Sequence, residues 1–337
     1  MDFKERVRRR NEFDASLVYG TRKFNLMTRR EEHLNYRKDH DNQWTDPKTG
    51  IIADKFSESR DCPLCGKNQP EVLFIKAGFP HARCKECDLV YANPILNLEE
   101  YKKWCSHEDS WQMVLETDEQ VKMQSLEANY SLDIVSLYLE NMKKIRICDI
   151  GCGPGTTLAE AKKRGFEVFG IEPNRRCHPF LEEKGIEYTS DFFPLKKYPN
   201  EKFDIILILN TLEHLNNPLQ ILYESRNLLK PKGLIYISVP SMDALVNRVL
   251  HEKGGAFAGH SHLQIFSILT LSKILEKAGF EVLEYETIIT ELGIIKNYLD
   301  FQHPYLGEHK TNFDFLTPEL IYKNHWARNV NMPARLK

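Results

Sequence analysis

The run Phe203–Asn210, FDIILILN, contains five consecutive branched apolar residues, Ile205–Leu209, with no polar alternation. A strand of this kind cannot keep one face in water, so it belongs inside a sheet covered on both sides. Similar runs recur as IRICDIG (145–151), FEVFGIEP (166–173) and LIYISVP (234–240), with a weaker one at IEYTSD (186–191). Helical segments separate them: TTLAEAKKRG (156–165), CHPFLEEKG (177–185), PLQILYESRNLLKPKG (218–233) and LTLSKILEKAGF (269–280). Their punctuation is that of helices, with Pro218 near a start and Gly165, Gly185, Gly233 and Gly279 at exits. Strands alternating with helices predict a doubly wound α/β domain around a parallel sheet.

The first strand runs into Asp149 and then into Gly151, Gly153 and Gly155 before a helix. In an open α/β sheet this turn borders the ligand crevice. Glycines there allow positive φ and let the backbone approach a ligand. Glu172 ends the next strand, 21 residues after Gly151, where a carboxylate can accept hydrogen bonds from ribose hydroxyls. A dinucleotide site would require G-x-G-x-x-G/A, but the sixth position here is Thr156. The carboxylate of Asp149 would also repel a pyrophosphate. It suits a ligand carrying ammonium and sulfonium charges, which points to S-adenosylmethionine over a nicotinamide cofactor.

Over roughly residues 126–290 the chain resembles the class I S-adenosylmethionine-dependent methyltransferases. DIGCGPG is similar to their first motif and IEPN (171–174), with Glu172 and Pro173, to their acidic ribose-binding strand end. By this resemblance Asp191 and Phe192 fall near the adenine, and Asn210 and Leu212 line the methionine side. The resemblance implies a Rossmann-like sheet of seven strands, the last antiparallel.

Methyl transfer is an in-line displacement, in which alignment alone supplies about 7–11 kcal/mol. A hydroxyl or protonated amine acceptor must also lose a proton, for which a histidine serves. His214 follows the fourth strand, and His260 and His262 lie in the glycine-bearing segment HEKGGAFAGHSHLQIFS (251–267). These three are the candidate bases; support of the pocket and loop packing are the plainer readings. A metal at His260-x-His262 is disfavoured, because no carboxylate or third histidine adjoins the pair.

Four of the eight cysteines form two C-x-x-C pairs, Cys62/Cys65 and Cys84/Cys87, separated by residues 66–83. Two such knuckles can converge on one tetrahedral zinc. Redox motifs of this type normally occur singly near a helix start. Four protein ligands leave no open position, so the expected role is structural. Cys105, Cys148, Cys152 and Cys177 lack such spacing and read as ordinary thiols, with Cys152 beside the cofactor.

The expected organisation is a basic extension and linker over 1–58, a zinc ribbon over 59–96, a helical connector over 97–143, a methyltransferase domain over 144–290 and a C-terminal extension over 291–337. A ribbon before this domain resembles both small-metabolite and sugar methyltransferases and certain ribosomal-RNA base methyltransferases. The run CDLVYANP (87–94) is more similar to the first group. The first thirty residues carry nine Lys/Arg against four Asp/Glu, as in RVRRR (6–10), which is either a solvated helix or a phosphate-gripping arm. Overall the net charge is −2, which gives no field favouring nucleic acid or anionic membrane. No apolar run approaches the roughly 20 residues of a membrane span, and the start lacks a signal-peptide core. The expectation is therefore a cytoplasmic enzyme acting on a small acceptor at oxygen or nitrogen. RNA base methylation and a non-enzymatic cofactor-binding scaffold are the alternatives.

Overall fold

The computed structural model describes residues 1–40, 42–106, 114, 117–139, 144–193, 195, 202–308 and 312–337. Its short N-terminal strands are β1 (Ser57–Glu58), β2 (Pro70–Lys76), β3 (Phe79–Cys84), β4 (Val90–Ala92) and β5 (Ile95–Leu96). Then come β6 (Arg146–Ile150), β7 (Glu167–Ile171), β8 (Glu187–Thr189), β9 (Phe203–Leu209) and β10 (Leu229–Pro240). The chain ends with β11 (Gln264–Ile265), β12 (Phe280–Val282), β13 (Glu286–Ile288) and β14 (Asn329–Leu336).

The central sheet has the order β12-β14-β10-β9-β6-β7-β8, with β13 also on β14. Strands β6 to β10 are mutually parallel, while β14 runs antiparallel to β10, β12 and β13. This bears out the expected mostly parallel α/β sheet. The strand alternation explains its two cores. Cys148, Ile150, Ile206, Ile208, Ile235 and Ile237 face the helices Pro218–Leu228 and Ile268–Lys277. Ile147, Ile205, Leu207, Leu234 and Tyr236 face Phe13, Tyr130, Leu158 and Leu181 on the opposite side. Each such side chain contributes about 1.5–3 kcal/mol on leaving water, which fixes the register.

Three boundaries differ from the sequence expectation. The sheet does not end by residue 290: β14, in the expected C-terminal extension, sits between β10 and β12. Its polar sequence, with Asn329, Asn331 and Pro333, hides the strand, yet Asn329–Ala334 are buried. The basic start is not a solvated arm. In the helix Phe3–Phe13, Arg6 pairs with Glu284 at 3.0 Å and Glu286 at 3.3 Å, and Arg10 donates to the Thr287 carbonyl at 2.8 Å. Within the expected extension and linker over 1–58, Trp44 and Ile52 are buried and a Thr45–Ile52 bridge forms. Part of the expected helical connector, residues 107–113, 115–116 and 140–143, lies outside the described residues; within it the helix Asp118–Ser136 packs on the sheet.

The cysteine module is a small antiparallel sheet, β2-β3-β4, whose fourth strand β11 comes from the methyltransferase-like region. Cys62, Leu64, Leu89 and Tyr91 belong to the same core cluster as Ile206 and Leu271. The module therefore shares a core with the large sheet instead of standing alone.

Candidate functional site

The order of the sheet reverses between β6 and β9, and a cavity of about 1190 Å³ opens there, beyond the carboxyl ends of the strands. Gly151 turns the chain at φ +78°; a Cβ there would lie 2.4 Å from Thr211 Oγ1, so no other residue fits. Gly153, at φ +55°, has nothing within 4 Å of a Cβ position and lines the open space. Gly155 also has positive φ, but it packs under Leu181 and Ile186 and is absent from the cavity wall. It serves the turn and not the ligand surface. Leu212 is likewise fully buried in the sheet core and does not line the cavity.

Asp149, Glu172, Pro173, Asp191, Phe192 and Asn210 all line the cavity. Cys152 lies with them, buried beside Gly170. Glu172 accepts the backbone N–H of Gly153 at 2.7 Å and that of Asn174 at 2.8 Å. Those bonds orient its carboxylate, while burial raises its pKa. Asp149 is 2% exposed, and its Oδ1 has no hydrogen-bond partner among the described residues. Burial, reinforced by the neighbouring Glu172 charge, pushes the Asp149 carboxyl up to about 8. Two buried carboxyls on one wall create a demand for a cation. A ligand with ammonium and sulfonium charges and ribose hydroxyls fits that donor set.

On the next turn, Glu213 is 1% exposed and neither carboxylate oxygen has a hydrogen-bond partner among the described residues. Burial raises its pKa to about 8. The His214 Nε2 lies 3.8 Å from Glu213 Oε1, and its Nδ1 is 3.0 Å from the Ser261 carbonyl. His214 lines the cavity, and burial lowers its imidazole pKa to about 4. His262 Nδ1 is 2.8 Å from the Ala256 carbonyl, and the His214 and His262 ring centroids are 4.9 Å apart. Each Nδ1 faces a carbonyl oxygen and so carries the proton it donates, and the Asn210 carbonyl is a second acceptor beside the His214 ring. The sequence places no carboxylate near His262, yet Glu213, His214 and His262 bring ligand atoms within 4.8 Å of one another. Such a group can relay a proton or hold a divalent cation. Sequence alone does not mark Glu213 as a site residue; its adjacency to His214 is the one available signal. His260 also borders the cavity, but it is 5% exposed and stacks with Trp44 at 5.7 Å, with Trp104 edge-on at 5.5 Å.

Further cavity lining comes from the segments expected to lie outside the domain. The N-terminal helices and the helix Asp118–Ser136 supply Arg30, Gln120, Gln124 and Glu127, and the C-terminal region supplies Glu291 and Arg328. Arg30 Nη2 donates to Gln120 Oε1 at 2.9 Å, and Arg328 Nε lies 3.6 Å from Glu291 Oε1. Burial raises the Glu127 carboxyl to about 7 and lowers Arg30 to about 10.

The four module cysteines also converge, with Cys62 and Cys87 Sγ 3.5 Å apart and Cys65 and Cys84 Sγ 3.5 Å apart. Zinc–sulfur bonds of about 2.3 Å in a tetrahedron put sulfurs about 3.8 Å apart, so the cluster is compatible with zinc. Burial pushes the Cys62 thiol up to about 11 and raises Cys87 as well, the cost of grouping thiols without a cation.

Comparison with known proteins agrees with this geometry. Residues 123–285, just under half of the chain, match the family model described as a methyltransferase domain. A ubiquinone biosynthesis O-methyltransferase of Roseobacter denitrificans is 34% identical over 101 residues, 28% of this chain and 41% of that protein. One from Dinoroseobacter shibae is 27% identical over 174 residues, 48% of this chain and 69% of that protein. The chain spans about 40% of the length of the first curated relatives it matches. Among solved structures, magnesium protoporphyrin IX methyltransferase from Synechocystis PCC 6803 aligns with a TM-score of 0.48 and 14% identity, over 72% of this chain and all of that one. Strand order, glycine turn and family match converge on one conclusion: over residues 123–285 the chain carries a methyltransferase domain.

Proposed function

We propose that the chain methylates a small polar acceptor at oxygen or nitrogen in the cavity between the sheet edge and the N-terminal helices. The observation that carries this reading is the pair of buried carboxyls, Asp149 and Glu172, on one wall. S-adenosylmethionine, when bound, supplies an already activated methyl group. Glu172, oriented by the Gly153 and Asn174 N–H groups, takes the ribose hydroxyls. Asp149 complements the cationic end, Asp191 and Phe192 border the adenine, and Asn210 borders the methionine side. Gly151 and Gly153 admit the ligand to the backbone.

His214 or His262 removes the acceptor proton through Nε2, and its Nδ1–H bond to a backbone carbonyl holds the ring in place. The buried walls exclude water from the reacting atoms. The names of the curated relatives support oxygen as the methylated atom. Arg30, Gln120, Glu127, Glu291 and Arg328 offer charged and amide groups of both signs, which favours a hydroxyl-rich acceptor such as a sugar or a surface-polysaccharide or secondary-metabolite precursor. The four cysteines hold a structural zinc. No helix among the described residues is long and apolar enough to cross a membrane, and a cytoplasmic enzyme is the simplest setting.

The RNA reading has less support. Arg6, Arg8, Arg9 and Arg10, which would grip phosphates, pair within the chain with Glu284, Glu286, Glu5, Glu12 and Asp133. The test is release of S-adenosylhomocysteine with nucleotide-sugar pools against total RNA, after calorimetry of S-adenosylmethionine binding. Turnover with the small-molecule pool is expected. Turnover with RNA alone would overturn the acceptor assignment, and binding of NADH in place of S-adenosylmethionine would overturn the donor.

A further inference from the structure

Arg60 stands two residues before the first cysteine of the module, and its guanidinium reaches three separate segments. Nε donates to the Ala92 carbonyl at 3.2 Å, on module strand β4. Nη1 donates to the Asn216 carbonyl at 3.1 Å and to Gln264 Oε1 at 3.3 Å, and Nη2 donates to the Leu263 carbonyl. Asn216 follows the Glu213–His214 turn, and Leu263 immediately follows His262. All four acceptors are neutral, so these hydrogen bonds fix positions, while Cys62 and Glu58 act on the guanidinium through space. A planar fork with N–H groups in set directions can hold several carbonyls at once only if their segments keep one arrangement.

The same junction is stitched by backbone and amide bonds. Ala92 N–H donates to the Leu263 carbonyl at 2.9 Å, and Leu263 N–H donates to the Glu213 carbonyl at 2.8 Å. Gln264 Nε2 donates to the carbonyls of Leu212 at 2.7 Å and Leu215 at 3.0 Å. The cysteine module, the His214 turn and the segment that follows His262 thus meet at one side chain.

We propose that Arg60 is a positioning residue that couples the four-cysteine site to the imidazoles of His214 and His262. The proposal rests on the reading that those rings face the acceptor. It adds that the cysteine module sets their orientation, and that metal occupancy of the module is felt in the cavity through Arg60.

The test uses the full-length, zinc-loaded chain with Arg60→Met and Arg60→Lys. In the parent, the side-chain ¹⁵N spectra of His214 and His262 at neutral pH are expected to show the Nδ1-protonated tautomer fixed by the Ser261 and Ala256 carbonyls. Arg60→Met is expected to average the tautomers and to speed hydrogen exchange at the Leu263 amide about tenfold or more, while Arg60→Lys restores part of both signals. S-adenosylhomocysteine affinity, read by calorimetry, should stay within about twofold, because the hydrogen bonds given for the Arg60 guanidinium end on Ala92, Asn216, Leu263 and Gln264 and not on Asp149 or Glu172. Stripping zinc from the parent with a chelator should reproduce the exchange change, and stripping it from Arg60→Met should add little. Unaltered imidazole spectra in Arg60→Met, or fully additive effects of chelation and substitution, would overturn the proposal. Should Arg60→Met fail to fold, the Arg60→Lys spectra and chelation of the parent decide the matter by the same criteria. Loss of S-adenosylhomocysteine binding by the parent would instead count against the donor assignment and leave the imidazole readout standing.

Discussion

Asn329 Nδ2 donates to Asn210 Oδ1 at 2.7 Å, joining the first residue of the last strand to the residue that follows β9. Asn210 sits at φ +49°, with its N–H on the Ser238 carbonyl at 2.7 Å, so its side chain is aimed by both neighbours. Asn329 is 1% exposed and also reaches Ser238 Oγ at 3.3 Å. Asn329→Leu removes these bonds and leaves the Asn210 amide oxygen without its donor. The expected cost is about 1–3 kcal/mol, visible as a lower melting temperature and weaker S-adenosylmethionine binding in calorimetry. Retention of full affinity by the variant would show that β14 does not support the donor site.

Asp149 gives the donor site a pH dependence of definite sign. Its carboxyl sits at about 8 in the ligand-free protein, well above the ordinary value of 3.8. The folded protein therefore holds a proton that the unfolded chain has lost, and this group's contribution to stability falls as pH rises from about 4 to about 8. A cationic ligand favours the ionised form, so binding releases a proton and affinity should increase between about pH 6 and 7.5. Calorimetry in buffers of different ionisation enthalpy measures that proton. The thermal shift given by S-adenosylmethionine should be larger at pH 7.5 than at pH 6. Asp149→Asn should melt higher than the parent without ligand while binding the donor poorly, a trade of function for stability.

The parts of this fold that sequence reveals are those specified locally. Ile205–Leu209 declares a two-sided buried strand by composition, the Gly151–Gly153 turn by positive φ, and the cysteine pairs by spacing. The parts it conceals depend on partners far along the chain. Asp14 accepts the N–H of Thr290, at 2.6 Å, and Arg10 reaches the Thr287 carbonyl. Neither the length nor the charge of the first helix announces that it docks on the segment around β13. Asn329 and Asn331 make β14 look like a loop, because their side chains satisfy one another's neighbours inside the protein: Asn331 Nδ2 donates to Tyr236 Oη at 2.7 Å. Glu213 reads as half of a Glu-His pair, and only burial of both its oxygens sets it apart.

The histidines should separate chemistry from donor binding. His214→Gln and His262→Ala are each expected to leave S-adenosylhomocysteine affinity near the parent value. The residue that acts as base should lose about 10²–10⁴-fold in transfer rate, measured in single turnovers. His214 has its folded pKa depressed to about 4 by burial, against an ordinary 6.5. Its contribution to stability is therefore complete above about pH 6.5 and is lost as pH falls toward 4. If His214 is the base, it stays neutral through the physiological range, and the rate should show no acid limb until pH nears 4. A transfer rate that falls in His262→Ala and holds in His214→Gln would assign the base to His262.

Zinc removal tests whether the module is an appendage or a part of the core. Cys62, Leu64, Leu89 and Tyr91 share one cluster with Ile206, Leu271 and Ile274, and Lys277 Nζ donates to the Leu64 carbonyl at 2.7 Å. Loss of the ion should therefore lower the melting temperature of the whole chain in one transition, not unfold a ribbon separately. Cys84→Ser should behave in the same way. Re-addition of zinc near neutral pH should release protons, because burial keeps the Cys62 and Cys87 thiols protonated until a cation displaces them. Two resolved transitions in calorimetry, with the upper one unchanged by chelation, would mean that the shared cluster does not couple the module to the sheet.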